Sequence, residues 1–140
     1  MSWIEPKTDW TSEDYFNAED LNRIENNTLE VINFLRSIQF DAPDVVAVTD
    51  RDIQDVEFLS SINRVESNIE DTRKSFLAPN ALGIQPAKTW TVGRRFDYRD
   101  ANRLENNLKL MRRYAQLAKE NIVYCGTFAC GEEVLINAMA

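Results

Sequence analysis

The chain has 140 residues, 44% of them hydrophobic and 28% charged, with a formal net charge of −7 and a pI near 4.6. That length suits one domain or one compact array, and that composition folds without outside help. The acidic balance argues against bulk binding to nucleic acid or an anionic membrane, which needs a basic surface. There is no histidine, so the commonest general base and zinc ligand are missing, and the glycines at 83, 93, 126 and 131 are too scattered for a phosphate-binding loop.

The opening stretch, MSWIEPKTDW, has no basic region followed by an apolar run. No segment approaches the roughly 20 apolar residues of a membrane span. The expectation is a protein made in the cytoplasm without a signal peptide.

The first element is a helix over about 18–37. Leu21, Ile24, Thr28, Val31, Leu35 and Ile38 follow alternating steps of three and four, the seam of a coiled coil or helical bundle. Asn17 is placed to cap it, Asp20 three residues on completes a box, and Phe16 with Leu21 has the spacing of a hydrophobic staple. Pro43 interrupts the connection that follows. A second helix is expected over about 50–76, capped by Thr49 with Asp52 as a weaker box. Its seam is Ile62, Val65, Ile69, Thr72 and Phe76.

Pro79, Gly83 and Pro86 break the next connection, which reads as an extended linker able to run back along a helix. The third helix is expected over about 98–120, capped by Asp97 with Asp100. Ala101, Leu104, Leu108, Met111, Ala115 and Ala118 form its seam. Residues 121–140 change character. They are rich in β-branched and aromatic residues with two glycine breaks, and read as a short hairpin or strand arm that needs a partner surface. Cys125 and Cys130 suit neither a zinc site nor a Cys-x-x-Cys redox pair, and are expected to be buried thiols.

One polar motif ties these helices together. Residues 22–27 read NRIENN and residues 102–107 read NRLENN. At the same offset of eighty, Trp10 meets Trp90, Thr11 meets Thr91, Phe16 meets Phe96 and Asp20 meets Asp100. A third copy, INRVESN at 62–68, keeps Asn63, Arg64, Glu66 and Asn68. The steps are 41 and 39 residues, which suggests three stacked repeats of about 40. Arg51 stands where the middle copy would carry its tryptophan. The expected fold is therefore mainly α: a three-repeat, three-helix bundle over 1–120 with a strand-prone arm over 121–140.

With Leu21 at heptad position a, Glu25, Glu66 and Glu105 fall at e and Asn27, Asn68 and Asn107 at g. Both flank the seam, where polar contacts set register, so three equivalent e–g contacts are expected. Arg23, Arg64 and Arg103 fall at c and Asn22, Asn63 and Asn102 at b, facing away from the seam. Their recurrence admits a cation–π contact such as Arg23 with Trp10, satisfaction of linker carbonyls, a neighbouring protein, or simple descent from a duplicated ancestor. An Arg and a Glu two residues apart on one helix do not face each other, so any such pair must link different helices or subunits.

The segment TDWTSEDYFNAEDLNRIENNTLEVINFL resembles one found in tail and baseplate structural proteins of phages and prophages of Gram-positive bacteria. The matching residues are Trp10, Asp14, Tyr15, Phe16, Asn17, Glu19, Asp20, Asn22, Arg23 and Ile24, with residues 88–108 a weaker match. The resemblance implies a non-enzymatic particle subunit of tail, baseplate or neck; from the charge, hydropathy and missing motifs above, no cofactor, metal, nucleic-acid or membrane partner is expected. Its partners would be other phage particle proteins, in a symmetric assembly of multiple copies resident in the virion. The expected interaction residues are the repeated Asn, Arg and Glu positions above, with Trp10 and Trp90, and Tyr124 and Phe128 in the arm. The competing reading is a small cytoplasmic adaptor or regulator binding a host or phage protein through the same helices. Acid pairs such as Glu132 with Glu133, or Asp50 with Asp52, are the nearest thing to a catalytic candidate, and such pairs are ordinarily solvated or stabilise a helix start.

Overall fold

The computed structural model describes residues 2–50, 58–77 and 83–125; of Phe58 and of residues 121–125 only the backbone is described. Three helices pack together: α1 (Ala18–Ser37), α2 (Phe58–Lys74) and α3 (Tyr98–Cys125). No strand occurs among the described residues.

The core is the three seams. Leu21, Ile24, Val31, Leu35, Ile62, Val65, Leu104, Leu108, Met111, Ala115 and Ala118 are all essentially excluded from solvent. Each of the valine, leucine, isoleucine and methionine side chains contributes about 1.5–3 kcal/mol of transfer free energy on burial, and the alanines less. Two seam positions are threonine. Thr28 donates its hydroxyl to Ile24 O at 2.9 Å and Thr72 donates to Asn68 O at 2.7 Å, so neither buries an unpaired polar atom.

The helices run parallel. Phe16 and Phe96, which precede α1 and α3, have ring centroids 5.2 Å apart. Phe40 and Phe76, which follow α1 and α2, have theirs 5.9 Å apart. Like ends therefore meet at both ends of the bundle. Parallel neighbours need connections that travel the full length of a helix, and the proline-broken linkers are long enough to do so.

The capping signals act locally as their chemistry requires. Asn17 accepts from the backbone N–H groups of Glu19 and Asp20, and the Asp20 side chain accepts from the Asn17 N–H, a complete capping box. Asp97 accepts from the Arg99 N–H at 2.9 Å while Asp100 accepts from the Asp97 N–H at 3.2 Å. At the other end of α1, Gln39 adopts φ +74°, and Phe40 N–H donates to Leu35 O at 3.0 Å. This is a Schellman stop with glutamine where glycine is usual.

Two helix boundaries differ from the sequence expectation. Asp50 lies outside any helix and α2 closes at Lys74 with a turn, so a helix to about 76 is slightly too long at its C-terminal end; residues 51–57, over which it was expected to begin, lie outside the described residues. Asp52, which was to complete the box, lies outside the described residues. At α3 the error is reversed: the helix runs on to Cys125, so residues 121–125, Tyr124 among them, are helical and not part of a strand arm. The three-four spacing continues from Ala115 and Ala118 through positions 122 and 125. Adding residues to an existing helix is far easier than nucleating one, so β-branched Ile122 and Val123 do not stop it. Gly126 is the first strong breaker in the sequence. The rest of the expected arm, with Phe128 and Cys130, lies outside the described residues.

Candidate functional site

The repeated Arg and Glu residues meet between helices. Arg23 on α1 grips Glu105 on α3, with Nε to Oε1 at 2.6 Å and Nη2 to Oε2 at 2.9 Å. Arg103 on α3 grips Glu66 on α2, with Nη1 to Oε1 at 2.7 Å and a second bond from Nη2 to Oε2. Arg64 on α2 grips Glu25 on α1, with Nε and Nη2 both 3.1–3.2 Å from the carboxylate. Each helix thus gives an arginine to one neighbour and takes an arginine from the other, and the three pairs close a ring around the bundle.

The glutamates are the buried partners. Glu25 and Glu105 are each 1% exposed and Glu66 is 3% exposed. The arginines come in from the rim with their stems along the helix surface. Burial works against the charge on Arg23, but its hydrogen bonds and attraction to Glu105, with Asp20 also at 3.0 Å, outweigh it and hold the guanidinium above its ordinary pKa. Such buried pairs contribute little net stability, yet removing one partner leaves a stranded charge. Their best-attested role is to fix register, and a ring of three fixes the register of all three helices at once. Arg103 differs in one detail. It meets Glu66 end-on through both Nη atoms, which leaves its buried Nε without a partner among the described residues. Arg103 also lines a cleft of about 10 Å³, with Glu70, Arg73 and Asn107. The space is of the order of one water.

The asparagines do a second job. The described segments that precede the helices, residues 2–17, 41–50 and 83–97, run as straps over the bundle, and asparagine amides hold their backbone. Ile4 N–H donates to Asn27 Oδ1 at 3.0 Å and Asn27 Nδ2 donates to Ile4 O at 2.7 Å. Asn107 makes the same two bonds with Gln85, at 2.9 and 3.0 Å. Asn68 Nδ2 donates to Val46 O at 2.8 Å. The b-position asparagines repeat the device on a neighbouring strap: Asn102 pairs with both backbone groups of Trp10, and Asn63 with both of Trp90. A primary amide carries a donor and an acceptor side by side, as a peptide group does, so it can complete a backbone that has no strand partner.

The tryptophans join strap to ring. Trp10 Nε1 donates to Glu105 Oε2 at 2.6 Å and Trp90 Nε1 donates to Glu66 Oε2 at 2.8 Å. Both indoles are buried, at 5% and 4% exposed, and pack at a tilt against Phe16 and Phe96 in one aromatic cluster at the N-terminal end. Arg51, at the corresponding place before α2, lies outside the described residues.

Two sequence expectations give way here. Among the described residues the glutamates at e take arginines, and Glu66 and Glu105 an indole N–H as well, while the asparagines at g take strap backbone. A carboxylate only accepts, so it selects the cationic fork and the indole N–H, and leaves the amide to the group that needs both a donor and an acceptor. Nor does Arg23 lie over Trp10; Lys7 does, 5.0 Å from the ring centroid, because Glu105 already holds Arg23. Sequence reasoning placed every ring residue on its helix, but missed Ile4 and Gln85, and missed Lys7, whose backbone N–H donates to Glu105 Oε1 at 3.1 Å. A backbone-mediated contact leaves no residue-type signal.

No family model, curated protein or solved structure matches the chain. Among the described residues no group of three His, Cys, Asp or Glu side chains is placed to hold a metal ion, and no helix is long and apolar enough to cross a membrane.

Proposed function

We propose that the chain is a non-enzymatic structural subunit of a phage or phage-derived particle, in its tail, baseplate or neck, working in multiple copies beside other particle proteins. Three repeats of about 40 residues build it, each a strap followed by a helix, and a C-terminal arm over the last residues reaches a neighbour. The resemblance of residues 8–35 to tail and baseplate proteins supports this reading. The observation that carries it is the closed Arg–Glu ring: the most distinctive charged residues of the sequence are consumed in fixing helix register. That is the use expected of a rigid connector, whereas a binding or catalytic face keeps its charges for a ligand.

The test is the composition of purified particles from a host that encodes the chain. Quantitative mass spectrometry should find it at a fixed, integral ratio to the other particle proteins, and labelled antibody should decorate one place on the particle. Its absence from particles, with the chain recovered instead on a host or phage regulator, would replace this reading with that of a small adaptor.

A further inference from the structure

Charge is distributed very unevenly around this bundle. Residues 1–50 hold eleven carboxylates against three cations, whereas residues 88–119 hold nine cations against three carboxylates. The fold converts this sequence asymmetry into two opposite faces. On α3, Arg103 at c reaches α2 and Glu105 at e receives α1, so positions f and b point outward. Arg99, Lys109 and Arg113 occupy those positions and are exposed, with Arg95 exposed just before the helix. Among the described residues, Lys109, Arg113 and Arg95 have no carboxylate at ion-pair distance, and Arg99 pairs only with its neighbour Asp97.

The strap over 41–50 bridges α1 and α2, held by Arg36 at the carbonyls of Ala42 and Pro43 and by Asn68 at Val46. In a three-helix bundle the groove between two helices faces directly away from the third. This strap therefore lies opposite the outer face of α3. It carries exposed Asp41, Asp44 and Asp50. Asp71 is exposed seven residues beyond Arg64, on the stripe of α2 that faces α1. Asp44 is held by Arg36 but remains 98% exposed.

We infer that copies of this chain associate side by side, the basic outer face of α3 of one copy seated on the acidic strap between α1 and α2 of the next. The inference extends the reading of the chain as a repeated particle subunit. Such a contact joins two different patches, so it propagates from copy to copy and closes into a ring or runs on as a filament. A second copy is the favoured occupant because the same chain carries the complementary surface, at the same height along the bundle. A nucleic acid would meet the cationic stripe but also the net −7 of the whole chain. At physiological salt the Debye length is about 8 Å, so the contacting faces interact while the like charges on their far sides are screened.

Sedimentation velocity on the full chain tests this, with a charge swap. The wild type should gain mass with concentration at about 0.1 M salt and return to monomer near about 1 M. Lys109→Glu with Arg113→Glu cancels the positive charge of the α3 face and leaves the strap acidic, and Asp41→Lys with Asp71→Lys cancels the negative charge of the strap face and leaves α3 basic. Each variant alone should associate at least about tenfold more weakly than wild type. Mixed together they should associate again, since each now complements the other. All four sites are exposed, so melting temperatures should match the wild type; if a double variant melts early, Lys109→Glu and Asp41→Lys serve as the pair. A wild type that stays monomeric up to millimolar concentration, or a mixture that stays monomeric, overturns the inference. So does a salt-sensitive shift of a DNA duplex by a chain that does not self-associate. A chain found in particles yet monomeric alone would sink this contact while leaving the particle reading intact.

Discussion

Arg23 of α1 and Glu105 of α3 form a two-point ion pair in which the glutamate is 1% exposed and also accepts the indole N–H of Trp10. One carboxylate thus fastens two helices and a strap. Glu66 repeats the arrangement with Arg103 and Trp90. The shared acceptor explains why tryptophan, arginine and glutamate recur at matched spacings in the sequence.

The arginines should not tolerate lysine equally. Lysine keeps the charge but not the planar fork that meets both carboxylate oxygens. Arg103 has a side chain 9% exposed and Arg64 one 28% exposed, so water can replace more of what Arg64→Lys loses. Urea denaturation should show Arg103→Lys destabilising by about 1.5–3 kcal/mol, the range for a hydrogen bond to a charged group, and Arg64→Lys by less. The reverse order would mean the ring is not held by its buried members.

Trp10→Phe keeps most of the apolar bulk and removes one donor. It should cost about 1.5–3 kcal/mol through the bond lost to a charged acceptor, and Trp90→Phe should behave alike. Thermal melts followed by circular dichroism measure this without relying on tryptophan emission. Two variants as stable as the wild type would show that the indoles only fill space.

In the seam, Ile24→Ala and Leu104→Ala should each cost about 2–5 kcal/mol as cavity-forming changes. Thr72→Val should be nearly neutral, because its hydroxyl and the methyl that replaces it have similar shape and the Asn68 carbonyl keeps its helical role. Calorimetry that finds Thr72→Val as costly as Leu104→Ala would show that the hydroxyl bond to Asn68 O holds the seam and is not merely satisfied within it.

The ends of α1 offer changes of opposite sign. Asn17→Ala removes the capping box and should cost about 0.5–2 kcal/mol. Gln39→Gly relieves a left-handed backbone at φ +74° and should raise stability by up to about 1 kcal/mol. Melting temperatures that move in the same direction for both would contradict this assignment of the helix ends.

Much of this fold was legible because it is local. The seams of Leu21 to Leu35 and Ala101 to Ala118 follow from periodicity, and Asn17 with Asp20 from capping chemistry. That any pair among the repeated Arg and Glu residues must join different helices or subunits also followed, since c and e of one helix do not face each other, but not that such pairs form nor that Arg23 takes Glu105. What was hidden is relational. Whether Glu105 receives α1 or α2 depends on the hand and order of the helices. The Asn27 clamp on Ile4 depends on where a strap passes, and peptide groups are identical at every residue. The overrun of α3 to Cys125 was misread because β-branched residues at 122 and 123 signal a strand only where no helix is already propagating into them.

The most direct measurement of the central claim, that interhelical Arg–Glu pairs lock the bundle, is a double-mutant cycle on Arg23→Ala and Glu105→Ala by chemical denaturation. If the pair is made as described, each single variant strands a charge and the double variant does not, so the coupling energy should lie between about 1 and 3 kcal/mol, well above the roughly 0.3–0.5 kcal/mol of independent sites. Additivity within that smaller range would mean that Arg23 and Glu105 do not hold each other, and that the ring is not what sets the register of the three helices.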